Sequence, residues 1–401
     1  MPTKASGGSR VAHPALPLND PAFYASDPFD AYRLLRDDCP LYWFEGAGFW
    51  TITRHADVLY VSRDHQTFCN GHGMTMRGSE LEDVKGGETL ITTDPPRHTA
   101  ERHLVHQAFS PRQVAKLAPR VRQVARDTLA GVPEGETFDL VDRVAASVPV
   151  IVIAELLGVP VEDQEKFIRW SNAGVGVADP DYADLRVEAM TEQYAYFEAL
   201  LRERRRQPRD DLLTVIAEAA REDTDFDQFR ALTLCFLLLA AGNETTRNLV
   251  THGFTAVARH PDQLWALREG LSSRLAVDEL LRFTSPVIHM ARTVTAEVEL
   301  HGETLHPGDQ VVMLYGAANR DDRVFGKTAE ELHLDRSPNP QVSFGFGQHF
   351  CLGAALARLE ARIVFEELAA AFGAWEVVGP PEHLQSTMVR GIKHLPVQVA
   401  R

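Results

Sequence analysis

The chain has 401 residues, is 44% hydrophobic and 24% charged, and carries a formal net charge of −15, a composition that fits a globular protein of one large domain or two medium ones. That charge argues against nucleic acid as a partner, because phosphate binding needs a clustered positive surface. The longest apolar run, LCFLLLAAG at residues 234–242, falls far short of the roughly 20 residues that cross a bilayer.

Residues 1–20 contain no apolar core of signal-peptide length and read as a flexible lead-in. With no repeat and no low-complexity linker, residues 21–401 read as a single domain. The stretch PFDAYRLLRDD (28–38) has helical spacing, WTITR (50–54) alternates like a strand, and ADVLYVSRD (56–64) returns to helix. Gly71, Gly73, Gly78, Gly86 and Gly87 then predict a mobile loop ahead of DPPRHTAERH, residues 94–103. In that segment His98 and Arg102 are four apart and share a helix face. A zinc reading fails on spacing, since an arginine interrupts HxxEH and no HExxH occurs, which leaves His103 and His106 as helix-surface residues.

From there helix dominates. Arg112, Lys116, Arg120, Arg122 and Arg126 form a basic run, which an ordinary solvated face also explains. Asp227 to His260 reads as one long helix, entered through the acidic stretch Asp223–Asp227 and ended by His260-Pro261. Within it lies AAGNETTRN, residues 240–248. Gly242 in mid-helix costs about 1 kcal/mol relative to alanine, and a hydroxyl residue there can divert a backbone hydrogen bond and bend the helix. A close contact between packed helices is the plain alternative. Strand-like pieces return at VTAEVELHG (294–302) and QVVMLYGAAN (310–319), so the fold class is mainly α with a small β portion.

The four cysteines, Cys39, Cys69, Cys235 and Cys351, form no CxxC pair and no close even spacing, which fits the reducing cytoplasm rather than a disulfide framework. Three read as small buried hydrophobes. Cys351 differs, because it sits in SFGFGQHFCLGAALARLE, residues 343–360. Leu352, Leu356, Leu359 and Ile363 recur at helical spacing, so a helix is predicted to begin at about Cys351. Its N-terminal N–H groups and dipole would then let the thiol ionise easily. Gly345, Gly347 and Gly353 permit tight turns and close approach to something flat. A nucleophilic cysteine would need a histidine base; His349 is two residues away, but nearness in sequence does not establish geometry. A nucleotide loop fails because the third glycine of GxGxxG is missing.

The pattern Phe344-x-x-Gly347-x-x-x-Cys351-x-Gly353, with His349 inside it, resembles the haem-binding loop of the cytochrome P-450 family. The resemblance runs from Phe29 to Leu395 and implies that family's single triangular, mainly helical domain. It implies haem b as cofactor, with Cys351 as the axial iron ligand and Phe344 shielding its sulfur. By the same likeness the segment around Ala241 crosses the oxygen-binding face of the haem, where Glu244 and Thr245 guide protons. His98, Arg102, Arg292 and His349 are implied to hold the propionates, with Ala241 and Gly353 close to the cofactor. The family's ExxR mark occurs four times, starting at Glu203, Glu218, Glu244 and Glu279, because such pairs are common on helix surfaces. Only Glu279–Arg282 lies between the long helix and the cysteine loop, with ANRD at 318–321 and Arg336 following, so the resemblance makes Glu279, Arg282 and Arg336 a structural network.

The resemblance implies a monooxygenase that inserts one oxygen atom into an apolar molecule. The alternatives are a non-catalytic haem ligand-binding or sensor protein, or a family member that rearranges peroxides without reductant; an intact Glu244-Thr245 favours the monooxygenase. No flavin or ferredoxin sequence follows the loop, so electrons are expected from a separate ferredoxin and its reductase, delivered to a monomer. The basic run, with Arg358 and Arg362, is a candidate docking surface for an acidic carrier. Family topology puts pocket walls at about 70–93, at 170–185, near Leu237 and Ala241, after ExxR at Val287, Ile288 and Met290, and in the tail at Met388 and Val389. Apolar walls suit a terpenoid, steroid or branched lipid, with His289 or Arg390 as polar anchors.

Overall fold

The structure is a computed structural model that describes residues 15–79, 88–174, 179, 181, 183–220 and 225–401. Most of the lead-in, Gly86, Gly87, Asp223 and part of the 170–185 wall lie outside the described residues.

Helix α1 (Phe29–Asp38) buries Tyr32, Leu35 and Arg36, the i, i+3, i+4 face of its sequence. Helix α2 is His55–Arg63, α3 Arg97–Val105, α4 Ser147–Leu157, α5 Ala183–Arg206 and α6 Gln228–Ala258. Helix α7 is Ser273–Thr284, and α8 (Ala354–Ala371) follows the cysteine loop. The five-stranded sheet contains β1 (Leu41–Phe44), β2 (Phe49–Ile52), β3 (Phe68–Cys69), β4 (His289–Val294) and β5 (Gln310–Leu314), in the order β1-β2-β5-β4-β3. Only β2 and β5 pair in parallel; β4 meets β5 antiparallel with Arg292 opposite Val311. Near the C-terminus, β6 (Glu382–His383) pairs with β7 (Ile392–His394).

The 31 residues of α6 make a helix about 46 Å long. Its start is set by Asp227, whose carboxylate accepts the Arg230 N–H at 2.9 Å. Its second half is buried on every side, from Thr246 to Val257, which is the signature of a core helix rather than an amphipathic one. Two glycines allow neighbours to approach: a Cβ on Gly253 would lie 2.6 Å from Phe365 of α8, and one on Gly242 3.4 Å from Ile153 of α4. Phe254 stacks on Trp375 with ring centres 5.0 Å apart, and Phe365 packs against the same indole at 6.2 Å. Burying such rings contributes on the order of 2 kcal/mol each.

The expected elements at 28–38, 50–54, 56–64 and 227–260 are present, with ends shifted by a residue or two. Two differences bear on the site. QVVMLYGAAN divides into β5 and a short helix, Tyr315–Ala318, because the apolar run turns into the core. The helix after the cysteine begins at Ala354, not at Cys351. Among the described residues, no helix is long and apolar enough to cross a membrane.

Candidate active site

The cysteine loop is fixed at both ends. The Cys351 N–H donates to the Phe344 carbonyl at 2.9 Å, and the Gly345 N–H to the Val342 carbonyl at 2.8 Å. Gly345 and Gly347 have φ of +67° and +73°, and a Cβ on Gly347 would stand 2.2 Å from the Ser62 carbonyl oxygen of α2, so no other residue fits there. Asn319, from ANRD, accepts the Val342 N–H at 2.8 Å and donates to the hydroxyls of Ser285 and Ser343. The Ser343 hydroxyl in turn donates to the Leu281 carbonyl of α7 at 2.7 Å. Sequence reasoning noted ANRD without giving Asn319 this role; only the fold brings its partners together.

Behind the loop, Glu279 and Arg282 form a fully buried bidentate pair, at 2.7 and 2.8 Å. Arg336 adds its Nε at 3.1 and 3.0 Å from the two carboxylate oxygens, and Asn339 and the His333 N–H complete the shell. Arg282 then donates to the carbonyls of Asn319, Ala329 and Glu331. Every charge in this network meets an opposite charge or a backbone carbonyl, which is what a buried ion pair requires. Of the other ExxR matches, Glu203 bonds Arg204 and Arg209 at a more exposed position.

The Cys351 sulfur is half-buried. Burial pushes its thiol up, outweighing the Gly353 N–H and the Arg102 and Arg358 charges that pull it down. The expected easy ionisation therefore does not hold for the protein alone, because burial outweighs what lowers it, and α8 begins three residues beyond the sulfur. A bound metal ion would deprotonate it outright. The Arg358 guanidinium lies over the Phe344 ring, 4.5 Å from its centre.

His98 and His349 meet with ring centres 4.0 Å apart. The Nε2 atom of each is buried with no hydrogen-bond partner among the described residues. Burial pulls His98 down to about 4, and burial with the nearby Arg292 and other positive groups pulls His349 down to about 2. Arg102 donates to the Phe350 carbonyl at 2.7 Å. Arg292, buried on β4, uses its Nη1 on the Ala291 carbonyl. Four nitrogen-rich side chains thus gather, with two ring nitrogens waiting for an anionic or hydrogen-bonding group.

On α6, Ala240 and Ala241 are exposed between the buried Leu238, Leu239 and Asn243, so this face looks onto open space. The Thr245 hydroxyl donates to the Ala241 carbonyl at 2.9 Å and the Thr246 hydroxyl to the Gly242 carbonyl at 3.2 Å, the diversion expected of hydroxyls in a helix. Glu244 is half-buried beside them. Two buried groups here escaped the sequence reading. Glu360 of α8 is held well above the usual carboxylate range by burial, against a bond with Thr246. Arg230 bonds both oxygens of Glu101, at 2.5 and 2.7 Å, and so ties α6 to α3.

The apolar segments after ExxR and in the tail lie side by side: Val287 bridges Val389, and the Ile288 N–H donates to the Met388 carbonyl at 2.9 Å. Val287, Met290, Met388 and Leu237 keep partial exposure, whereas Ile288 is buried in the cluster around α1. Of the two expected polar anchors, His289 is engaged elsewhere. His289 accepts the Met76 N–H on Nε2 at 3.1 Å and bonds the Thr387 carbonyl through Nδ1 at 2.9 Å, so both nitrogens are occupied. Arg390 lies over the Phe29 ring of α1 at 4.8 Å.

Most of the cations in the candidate docking surface are neutralised, all but Arg362 by acids from other elements. Arg120 pairs with Glu155, Arg122 with Glu366 and Glu367, Arg126 with Glu367, Arg358 with Asp278 and, at 3.7 Å, Arg362 with Glu366. Arg112 and Lys116 have no ion pair among the described residues. A depression of about 1050 Å3 opens over Cys351, lined by Arg102, Arg274, Arg358 and Arg362 with His98, His103 and His106; Asp278 is the one carboxylate in its lining.

Residues 273–389 match the family described as Cytochrome P450. A relative from Mycobacterium tuberculosis named putative cytochrome P450 126 is 38% identical over 390 residues, covering 93% of this chain and 94% of the relative. The chain belongs to the cytochrome P450 family. Two further P450 relatives are 35% identical: a methyl-branched lipid omega-hydroxylase of M. tuberculosis, covering 92% of this chain and 90% of its own, and a steroid C26-monooxygenase of Mycolicibacterium smegmatis, covering 92% and 89%. The solved structure of P450 OxyD, involved in the biosynthesis of vancomycin-type antibiotics, superposes with a TM-score of 0.88 at 32% identity, covering 96% of this chain and all of that one. This P450 is therefore an oxidoreductase of the monooxygenase type with haem b as its cofactor. The unpartnered His98 and His349 nitrogens, the cationic side chains beside them and the alanine face of α6 fit that cofactor's carboxylates and flat ring.

Proposed function

We propose that this P450 hydroxylates a steroid, terpenoid or methyl-branched lipid, using electrons from a separate ferredoxin and its reductase. The observation that carries the substrate class is the pair of hydrogen-bonded apolar segments, Val287 and Met290 beside Met388 and Val389, with Leu237 on α6. Of the two polar groups expected among them, His289 has both ring nitrogens bonded, and the Arg390 guanidinium lies over the Phe29 ring. An apolar wall with few fixed polar groups selects by shape and burial, at about 25 cal/mol per Å2 of surface removed from water. The names of the two 35% identical relatives point the same way.

Haem ligated by thiolate supplies the activation of dioxygen, the sulfur favouring O–O cleavage. Cys351 would be that ligand, with Phe344 and the Arg358 guanidinium on it covering the sulfur side. His98, Arg102, Arg292 and His349 would hold the propionates, and Ala241 and Gly353 present no bulk to the ring. Thr245 would hold a proton at Oγ1, using its lone pairs as acceptor while its own proton rests on the Ala241 carbonyl. Glu244, one residue earlier, would exchange protons with solvent. Glu279, Arg282 and Arg336 would keep the loop's supports rigid, and residues 21–401 would act as one domain.

For electron delivery, the depression over Cys351 offers four arginines and three histidines against one carboxylate, in a chain of net charge −15. That contrast suits an acidic carrier. The substrate class is tested by adding ligands to the ferric enzyme and reading the haem spin-state shift as water leaves the iron. Shifts with steroids, terpenoids or branched lipids are expected; shifts with small aromatic acids alone would overturn the class.

A further inference from the structure

Three elements meet at the outer end of the open face of α6. Thr233, Phe236 and Leu237 stand one to two turns before Ala240 and Ala241 on the same side of the helix. Tyr194 of α5 stacks flat on Phe236, with ring centres 5.6 Å apart and planes 6° from parallel. The Glu88 carbonyl lies 3.3 Å from the Thr233 hydroxyl, which fastens the loop ahead of α3 to the helix at this level. The Glu88 side chain is exposed and has no ion pair among the described residues. The Tyr194 hydroxyl likewise has no hydrogen-bond partner among them. Both residues are thus anchored at one level of α6, and burial and the Glu88 charge together push the Tyr194 phenol up. The nearest strong cation on α6, Arg230, is taken by Glu101.

A carboxylate that only accepts and a phenol that can donate complement a hydroxyl group, which does both. A carboxylate ligand would meet a like charge instead. Nine residues separate Phe236 from Thr245, a distance of about 13 Å along the helix. A molecule reaching from one to the other must therefore be long.

We propose that Glu88 and Tyr194 form the polar end of the substrate channel, and that they select a long apolar alcohol over the corresponding carboxylic acid. The alcohol hydroxyl donates to the Glu88 carboxylate and accepts from the Tyr194 hydroxyl, while the far end of the molecule lies near Thr245. This rests on the reading of α6 as the wall of the substrate pocket. It adds a head-group preference and an orientation: oxidation falls at the end remote from the existing hydroxyl.

The test uses dodecan-1-ol and dodecanoate as matched probes with the haem-loaded enzyme, read by spin-state titration at low salt. The alcohol should bind about tenfold more tightly, the scale of one like-charge contact near a protein surface. Glu88→Gln should close most of that gap by strengthening dodecanoate, and Tyr194→Phe should weaken the alcohol severalfold while leaving dodecanoate nearly unchanged. Neither substitution removes a contact that holds the fold together. An alcohol-to-acid ratio unmoved by Glu88→Gln overturns the proposal. If no probe shifts the spectrum of any variant while the carbon monoxide band remains that of a thiolate, the pocket reading itself fails.

Discussion

The sulfur side and the substrate side of this P450 are built from opposite materials. Around the cysteine loop, Glu279, Arg282, Arg336, Asn319 and Ser343 satisfy one another through short bonds between buried groups. Across α6, the surface is alanine, leucine, valine and methionine, and its polar groups lie at the rim or on the helix's own carbonyls. A buried polar network tolerates little change, because each lost partner strands another charge. An apolar wall tolerates exchange at modest cost. On the proposed function, the difference teaches that the fold would keep its iron ligand in the rigid half and its specificity in the adaptable one.

The strongest way to break the comparison is Glu279→Gln. Removing this buried carboxylate strands Arg282 and Arg336, at a cost of about 3–5 kcal/mol, a large part of a typical domain's stability. Urea unfolding should show the loss together with poor haem retention. Wild-type stability would mean that the network is ornamental.

Next in size is Thr245→Ala, which touches the boundary between the two halves. Its stability should stay within about 1 kcal/mol of wild type, since one local hydrogen bond is lost. Oxygen chemistry should change far more: reduced cofactor is still consumed, hydrogen peroxide rises and product falls. Coupling equal to wild type would remove Thr245 from proton delivery.

The rigid half was largely legible in the sequence, and the reason is physical. Phe344, Gly347, Cys351 and Gly353 act within one short loop, so their spacing carries their geometry. Much else depends on partners hundreds of residues away. Arg122 and Arg126 look like free cations until α8 brings Glu366 and Glu367 to them. His289 looks like a substrate anchor until Met76 and Thr387 occupy its two nitrogens. Cys351 looks easy to ionise until the fold buries its thiol and starts the helix three residues beyond it. The meeting of Glu88, Tyr194 and Phe236 has no local signal at all, since it joins a loop and two helices.

Leu237→Ala sharpens the comparison from the other side. Haem loading should be unchanged, while an apolar ligand that fills the pocket should bind about tenfold more weakly, the scale of a few methylene groups. Unaltered affinity would place Leu237 outside the wall. The smallest effect is expected at the depression, which Arg274 lines, and beside it, where Arg112 follows the lining residue Pro111. Arg112→Glu and Arg274→Glu should each slow ferredoxin-driven reduction a few-fold, more at low salt than at high. Rates that ignore both charge and salt would put the docking surface elsewhere.

The central claim, that Cys351 is the iron's ligand, is tested most directly by the spectrum of the reduced enzyme with carbon monoxide. A strongly red-shifted Soret band is predicted for the wild-type protein, and its loss in Cys351→His. A variant that binds haem and keeps the red-shifted band would contradict the account.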